Sequence, residues 1–282
     1  MPGASWRARV IWGLTQVARA ASLLVNDQEL RRSALLPTAL TFLGSAALAA
    51  GLALGREGNF FQVAFALFVA ISSMPPTLLW PLWTGLGLEA RRAVGGSPGE
   101  EERPGERYSR LLLRESLKAV RQTAVVAIGL APVFFVVELL PGVGHGITFL
   151  LGAAWAWYWV VLDALEIPVE LQPGHLGPGE PPWFERGLRA LGARSRWLRL
   201  LGRLGQFVGW LARPWRHQAS FTERHPWESA GFALGTVTFL AIPVLGVFFR
   251  AVAITAATVM LVREEPTSGP ASRELAHPAD PV

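Results

Sequence analysis

Three groups of polar residues stand in otherwise apolar surroundings, and they are where chemistry could be concentrated. In Arg114-Glu115-Ser116-Leu117-Lys118, the four-residue spacing sets Arg114 and Lys118 on one face of a helix, with Glu115 as a local counter-ion. Two such charges can attract an arriving anion or form a solvated face, and the spacing leaves both open. Leu139-Leu140-Pro141-Gly142-Val143-Gly144 is preceded by Glu138 and followed by His145. An acid and a titratable imidazole beside a turn fit proton coupling or ion selection, although a hydrogen-bonded cap is the commoner use of a lone turn histidine. Arg250 follows Gly246 by one helical turn and is the single ionisable residue between Ser229 and Val262. An arginine at mid-bilayer costs at least about 2.5 kcal/mol unless paired or hydrated. It can meet an anion at the positive end of a helix beginning at Gly246, pair with Glu138 or Asp163, or snorkel to headgroups.

Enzymatic signatures are absent. There is no GxSxG, no HExxH and no Walker loop, and His145, His175, His217, His225 and His277 show no metal-ligand spacing. Gly142-Val143-Gly144 has no strand before it and is no phosphate loop. These readings argue against an enzyme, and no metal or cofactor is expected.

The elements that must position these residues are membrane helices. The chain is 51% hydrophobic and only 17% charged, with a mean hydropathy of +0.33, against roughly a quarter charged in soluble domains. Ser33 to Gly55 and Asn59 to Leu88 carry no ionisable residue, and Thr123 to Leu165 carries only Glu138, His145 and Asp163. Uncharged stretches of this length read as membrane segments. The first apolar run follows an arginine-studded segment without a small-residue cleavage site, so no cleavable signal peptide is expected. With no cysteine there are neither disulfides nor thiolate metal sites. Twelve tryptophans against two tyrosines, mostly beside basic stretches at segment ends, fit interfacial anchoring.

Met1 to Arg32 places Trp6, Val10, Leu14, Val17 and Ala21 three or four apart, as in an amphipathic helix at the interface leading into a first span from Ser33 to Gly55. Phe60 to Trp80 returns across the membrane. Ser97 to Gly105 is a loop, and Tyr108 to Gln122 a charged amphipathic helix. The two later apolar blocks are each interrupted by aliphatic-Pro-x-x-Gly, at Pro141 and at Pro243, which suggests a repeated helical hairpin. The limb before Pro243 is too short to cross and predicts a re-entrant hairpin; for the first hairpin, re-entrant and spanning forms stay open.

Between Pro173 and Arg216 stand eight arginines against two glutamates, a local charge of +6. Leu188, Leu191, Leu198, Leu201, Leu204, Val208, Leu211 and Trp215 recur between them, as in an interfacial helix with a basic face. Its position between membrane runs favours anionic lipid over nucleic acid as partner. By the positive-inside rule the termini and the basic loops are cytoplasmic. Residues 1–263 read as one membrane domain, and 264–282 as a disordered cytoplasmic tail.

Leu30 to Pro37 (LRRSALLP), Pro81 with Glu89, RESLK at Arg114, LLPGVG with the tryptophan-rich stretch and Glu166-Ile167-Pro168, and the closing run from Trp227 to Val262 stand in the order and at the separations of the CysZ-type sulfate permeases and the related etoposide-induced-protein domain. The chain resembles that family over roughly Trp12 to Val262. The resemblance implies an all-α integral membrane fold, with two transmembrane helices and two hairpins that enter only part-way. It also implies homo-oligomers in the bacterial inner membrane, and uptake of sulfate for cysteine synthesis. Departures are Gly246 where the family's tip usually has Asn, Ala251-Val252 where Pro-Val usually stands, Arg250 itself, and the arginine-rich insertion; they bear on the substrate more than on the fold. The residues that would meet an oxyanion are Arg114, Glu115, Lys118, Gly142, Gly144, His145, Gly246 and Arg250. The competing expectation is a membrane-shaping scaffold that binds anionic lipid and transports nothing.

Overall fold

The computed structural model describes residues 5–54, 59–72, 79–96, 108–172, 179–194, 198–240 and 243–263. Among them the chain is all-helical: α1 (Trp6–Asn26), α2 (Gln28–Ala53), α3 (Phe60–Ser72), α4 (Trp80–Ala93), α5 (Tyr108–Ile128), α6 (Ala131–Glu138), α7 (Gly144–Glu170), α8 (Trp183–Arg194), α9 (Arg199–Leu211), α10 (Arg216–Arg224), α11 (Pro226–Leu240) and α12 (Pro243–Val262). The expected turn at Arg56, the loop from Ser97 to Gly105, the tip at residues 241–242 and the tail at 264–282 lie outside the described residues.

Four stretches are long and apolar enough to cross a bilayer: Gln28–Ala53, Ser109–Glu138, Gly144–Glu170 and Leu245–Val262. Their length and composition suit a membrane protein. The expected second span, Phe60 to Trp80, is described as helix only over α3, and residues 73–78 of it lie outside the described set. In the first hairpin both limbs reach crossing length, because α5 continues through a short break at Gly129-Leu130 into α6. Both limbs are thus longer than the sequence pattern alone indicated. The limb before Pro243 is α11, with 15 residues, and is not among the four.

The exposure of these helices orders the layers. Only 17–28% of the apolar window is buried in the first three stretches, whereas 61% is buried in the last. α12 is therefore the central helix, packed by α1, α2, α4, α7 and α11. Its Ala251, Ala253, Ala256 and Ala257 let those neighbours come close.

Two junctions show how local sequence sets this packing. Asp27 ends α1 and caps α2, its carboxylate accepting from the amides of Glu29 and Leu30, which satisfies two of the orphan donors at a helix start. α1 is not a helix lying free on the surface: it runs against α11 at glycine contacts. A Cβ on Gly231 would sit 1.9 Å from the Val10 carbonyl oxygen, and one on Gly13 2.0 Å from that of Glu228. The helix axes come that close because both positions lack a side chain. Periodicity gave the helix, but its apolar stripe does not say whether lipid or protein covers it.

The arginine-rich segment also differs from the single interfacial helix expected. It forms two helices, α8 and α9, packed on each other through Gly192 and Gly202, where a Cβ on Gly192 would lie 2.4 Å from the Gly202 Cα. Phe184, Val208, Leu211 and Trp215 join Val125, Trp155, Trp159 and Leu162 in one apolar cluster, so the pair is anchored to the first hairpin.

Candidate functional site

One face of α7 carries Asp163, Glu166 and Glu170, at i, i+3 and i+7. Three helices bring cations or an aromatic face to it. Lys118 of α5 forms an ion pair with Glu166, another at 2.7 Å with Glu170, and lies 3.8 Å from Glu115. Arg114 bonds Glu115 at 2.8 Å. The Lys118 ammonium also sits over the ring of Trp80 of α4, 5.2 Å from its centroid. One turn along α7, Asp163 faces Arg250 of α12 at 3.8 Å. Glu115, Lys118 and Glu166 are all buried.

The chemistry of the two halves differs. Lys118 is enclosed by three carboxylates, so its charge is already satisfied, and it does not present an open positive face with Arg114 as the spacing alone suggested. An anion arriving there would meet Glu115, Glu166 and Glu170 at close range, which is repulsive in a low-dielectric interior. The Arg250–Asp163 pair is longer, at the limit of a salt bridge, and both side chains keep some exposure, 15% and 31%.

The remaining predicted residues lie elsewhere. Gly142 has φ 82°, a left-handed turn that a side chain would strain, and a Cβ on Gly144 would lie 2.7 Å from the Val137 carbonyl oxygen. Both make the first tip possible by conformation and close packing. His145 pairs through Nδ1 with Glu138, and its side chain is 95% exposed. The pair sits roughly 27 Å along α7 from Asp163, too far to act on the same ion. Gly246 lies on α12, one turn before Arg250.

α4 fixes the relative direction of the two hairpins. Gly87 faces Ile167 and Leu171 of α7, while Gly96 faces Val262 of α12. These positions are at most roughly 14 Å apart along the chain of α4, whereas antiparallel α7 and α12 crossing at Asp163–Arg250 would separate the two contacts by roughly 27 Å. The helices therefore run the same way. Arg250 lies about two turns into α12 and Asp163 about five turns into α7, so the start of α12 stops roughly 18 Å short of the start of α7 along the bundle.

Glu170 was not singled out from the sequence, although its place on the face of Asp163 and Glu166, at the end of an apolar run, was a readable signal. Glu185 was missed altogether. It has no exposure, pairs with Arg189 at 2.5 Å and with Arg216 at 3.1 Å, and its carboxylate lies where a Cβ on Gly209 would be. No cluster of metal-ligating side chains occurs among the described residues. No family model matches this chain, and no curated protein matches it.

Proposed function

We propose that this protein is a membrane permease for a small inorganic oxyanion of the sulfate type, and that Arg250 is the group the anion meets. The observation that carries the reading is a partly buried arginine on the central helix, facing the Asp163 carboxylate at 3.8 Å between the two hairpins. A guanidinium offers a planar fork suited to two oxygens of a tetrahedral oxyanion, and Asp163 releases it when the anion arrives. The offset between α7 and α12 supports a spanning first hairpin and a second one that enters part-way. Its tip then needs protein or water around it, which favours a homo-oligomer. The sulfate-permease resemblance supplies the inner-membrane location, the cytoplasmic termini and the link to sulfur assimilation.

Equilibrium binding of sulfate to the purified protein in detergent tests the assignment, with melting temperature read in parallel. Arg250→Lys keeps part of the affinity, because charge survives while the fork is lost. Arg250→Met weakens binding at least about tenfold, the loss of charge-assisted bonds worth roughly 1.5–3 kcal/mol. Asp163→Asn removes the competing carboxylate and tightens binding. Unchanged sulfate affinity in a folded Arg250→Met protein would refute the role of Arg250.

A further inference from the structure

The paired helices α8 and α9 leave one face of α9 uncovered. Leu200, Arg203, Phe207 and Trp210 follow at i, i+3, i+7 and i+10, a single stripe. Leu200, Phe207 and Trp210 are 73%, 49% and 45% exposed. Arg199 and Arg213 are exposed beside them, and among the described residues no acidic side chain meets Arg199, Arg203 or Arg213. Phe207 stacks on Trp210 with ring centroids 6.1 Å apart.

A second contact sets the depth of this stripe. The guanidinium of Arg121, on α5, lies 4.9 Å from the centroid of Trp210. Arg121 is the last charged residue before the uncharged run from Gln122 to Val137. It marks the polar edge of that apolar stretch, where headgroups replace acyl chains, and Trp210 is held at the same level. The opposite side of the pair is fixed by the Gly192–Gly202 contact and by buried Glu185, so the stripe is presented by a braced element.

We infer that this face of α9 binds anionic phospholipid headgroups, with Arg199, Arg203 and Arg213 meeting phosphate while Leu200, Phe207 and Trp210 enter the acyl boundary. Charge complementarity and the continuity of Trp210 with the edge of a membrane stretch carry the assignment. A nucleic acid would satisfy the arginines but leave the apolar half of the stripe in water. The inference is independent of any transport activity.

The test uses the full-length protein in detergent, titrated with phosphatidylglycerol or phosphatidylcholine in mixed micelles, with tryptophan quenching by spin-labelled lipid as the readout. Wild type prefers phosphatidylglycerol, and each arginine removed lowers that preference about fivefold at low salt. The triple variant Arg199→Gln, Arg203→Gln, Arg213→Gln binds the two lipids alike, with its lipid-free melting temperature unchanged. Trp210→Ser weakens both lipids and leaves their ratio intact. Inorganic phosphate does not compete at millimolar concentration. A triple variant that keeps the full preference overturns the assignment. So does displacement of the lipid by a short duplex DNA or by inorganic phosphate at the same charge concentration.

Discussion

Lys118→Met lowers the melting temperature of the detergent-solubilised protein by on the order of 10 °C. The lysine is buried among Glu115, Glu166 and Glu170. Removing it leaves three carboxylates facing one another in a medium that solvates them poorly, and an uncompensated buried charge of this kind costs about 3–5 kcal/mol. The apolar replacement also loses the contact with Trp80. Adding Glu166→Gln and Glu170→Gln to Lys118→Met restores most of the loss, because two of the three carboxylate charges that the lysine had offset are removed as well. Thermal unfolding followed by circular dichroism separates this from a solvated surface pair, for which the single substitution would matter by no more than about 1 kcal/mol and the triple variant would rescue nothing.

Glu185→Leu has the second large effect, confined to the basic insertion. Its carboxylate joins α8 to the start of α10 through Arg216, pairs with Arg189 of α8 itself, and lies against α9 in the space that Gly209 leaves open. The loss is about 3 kcal/mol, the lower end for a broken buried pair, since both arginines can reach water. Without this tie α8 and α9 separate, and limited trypsin digestion cuts after Arg194 or Arg199 many times faster than in wild type. Glu185→Gln keeps the shape and falls between the two. If Glu185→Leu digests at the wild-type rate, the carboxylate does not hold the pair together.

What was legible in the sequence follows from how local each feature is. Uncharged runs marked the four stretches long enough to cross, though not the expected second span from Phe60 to Trp80. Pro141 and Gly142 marked the turn between α6 and α7, because proline and glycine act on the backbone where they stand. Pro243 begins α12, and residues 241–242 before it lie outside the described residues. The amphipathic patterns of α1 and of the basic insertion were readable too, but not what covers them. A stripe packed against protein and a stripe facing lipid have the same period. α1 turned out to lie against α11 through Gly13 and Gly231, a contact between residues more than two hundred positions apart that no local pattern encodes. At the site, Asp163 could be named as a partner for Arg250 since each is a rare charge in an apolar run. The capture of Lys118 by Glu166 and Glu170 could not, because it depends on the register with which α5 folds back along α7.

That register alters the anion account: it takes Lys118 out of the open charge and leaves Arg250, part-exposed and 3.8 Å from Asp163. The most direct test is uptake of labelled sulfate into proteoliposomes containing the full-length protein under an inward sulfate gradient. Wild type takes up sulfate well above protein-free liposomes, and Arg250→Met, reconstituted to the same level and equally folded, falls to the protein-free rate. Sulfate flux no greater than that of empty liposomes, from wild-type protein that stays folded in the bilayer, would contradict the permease account.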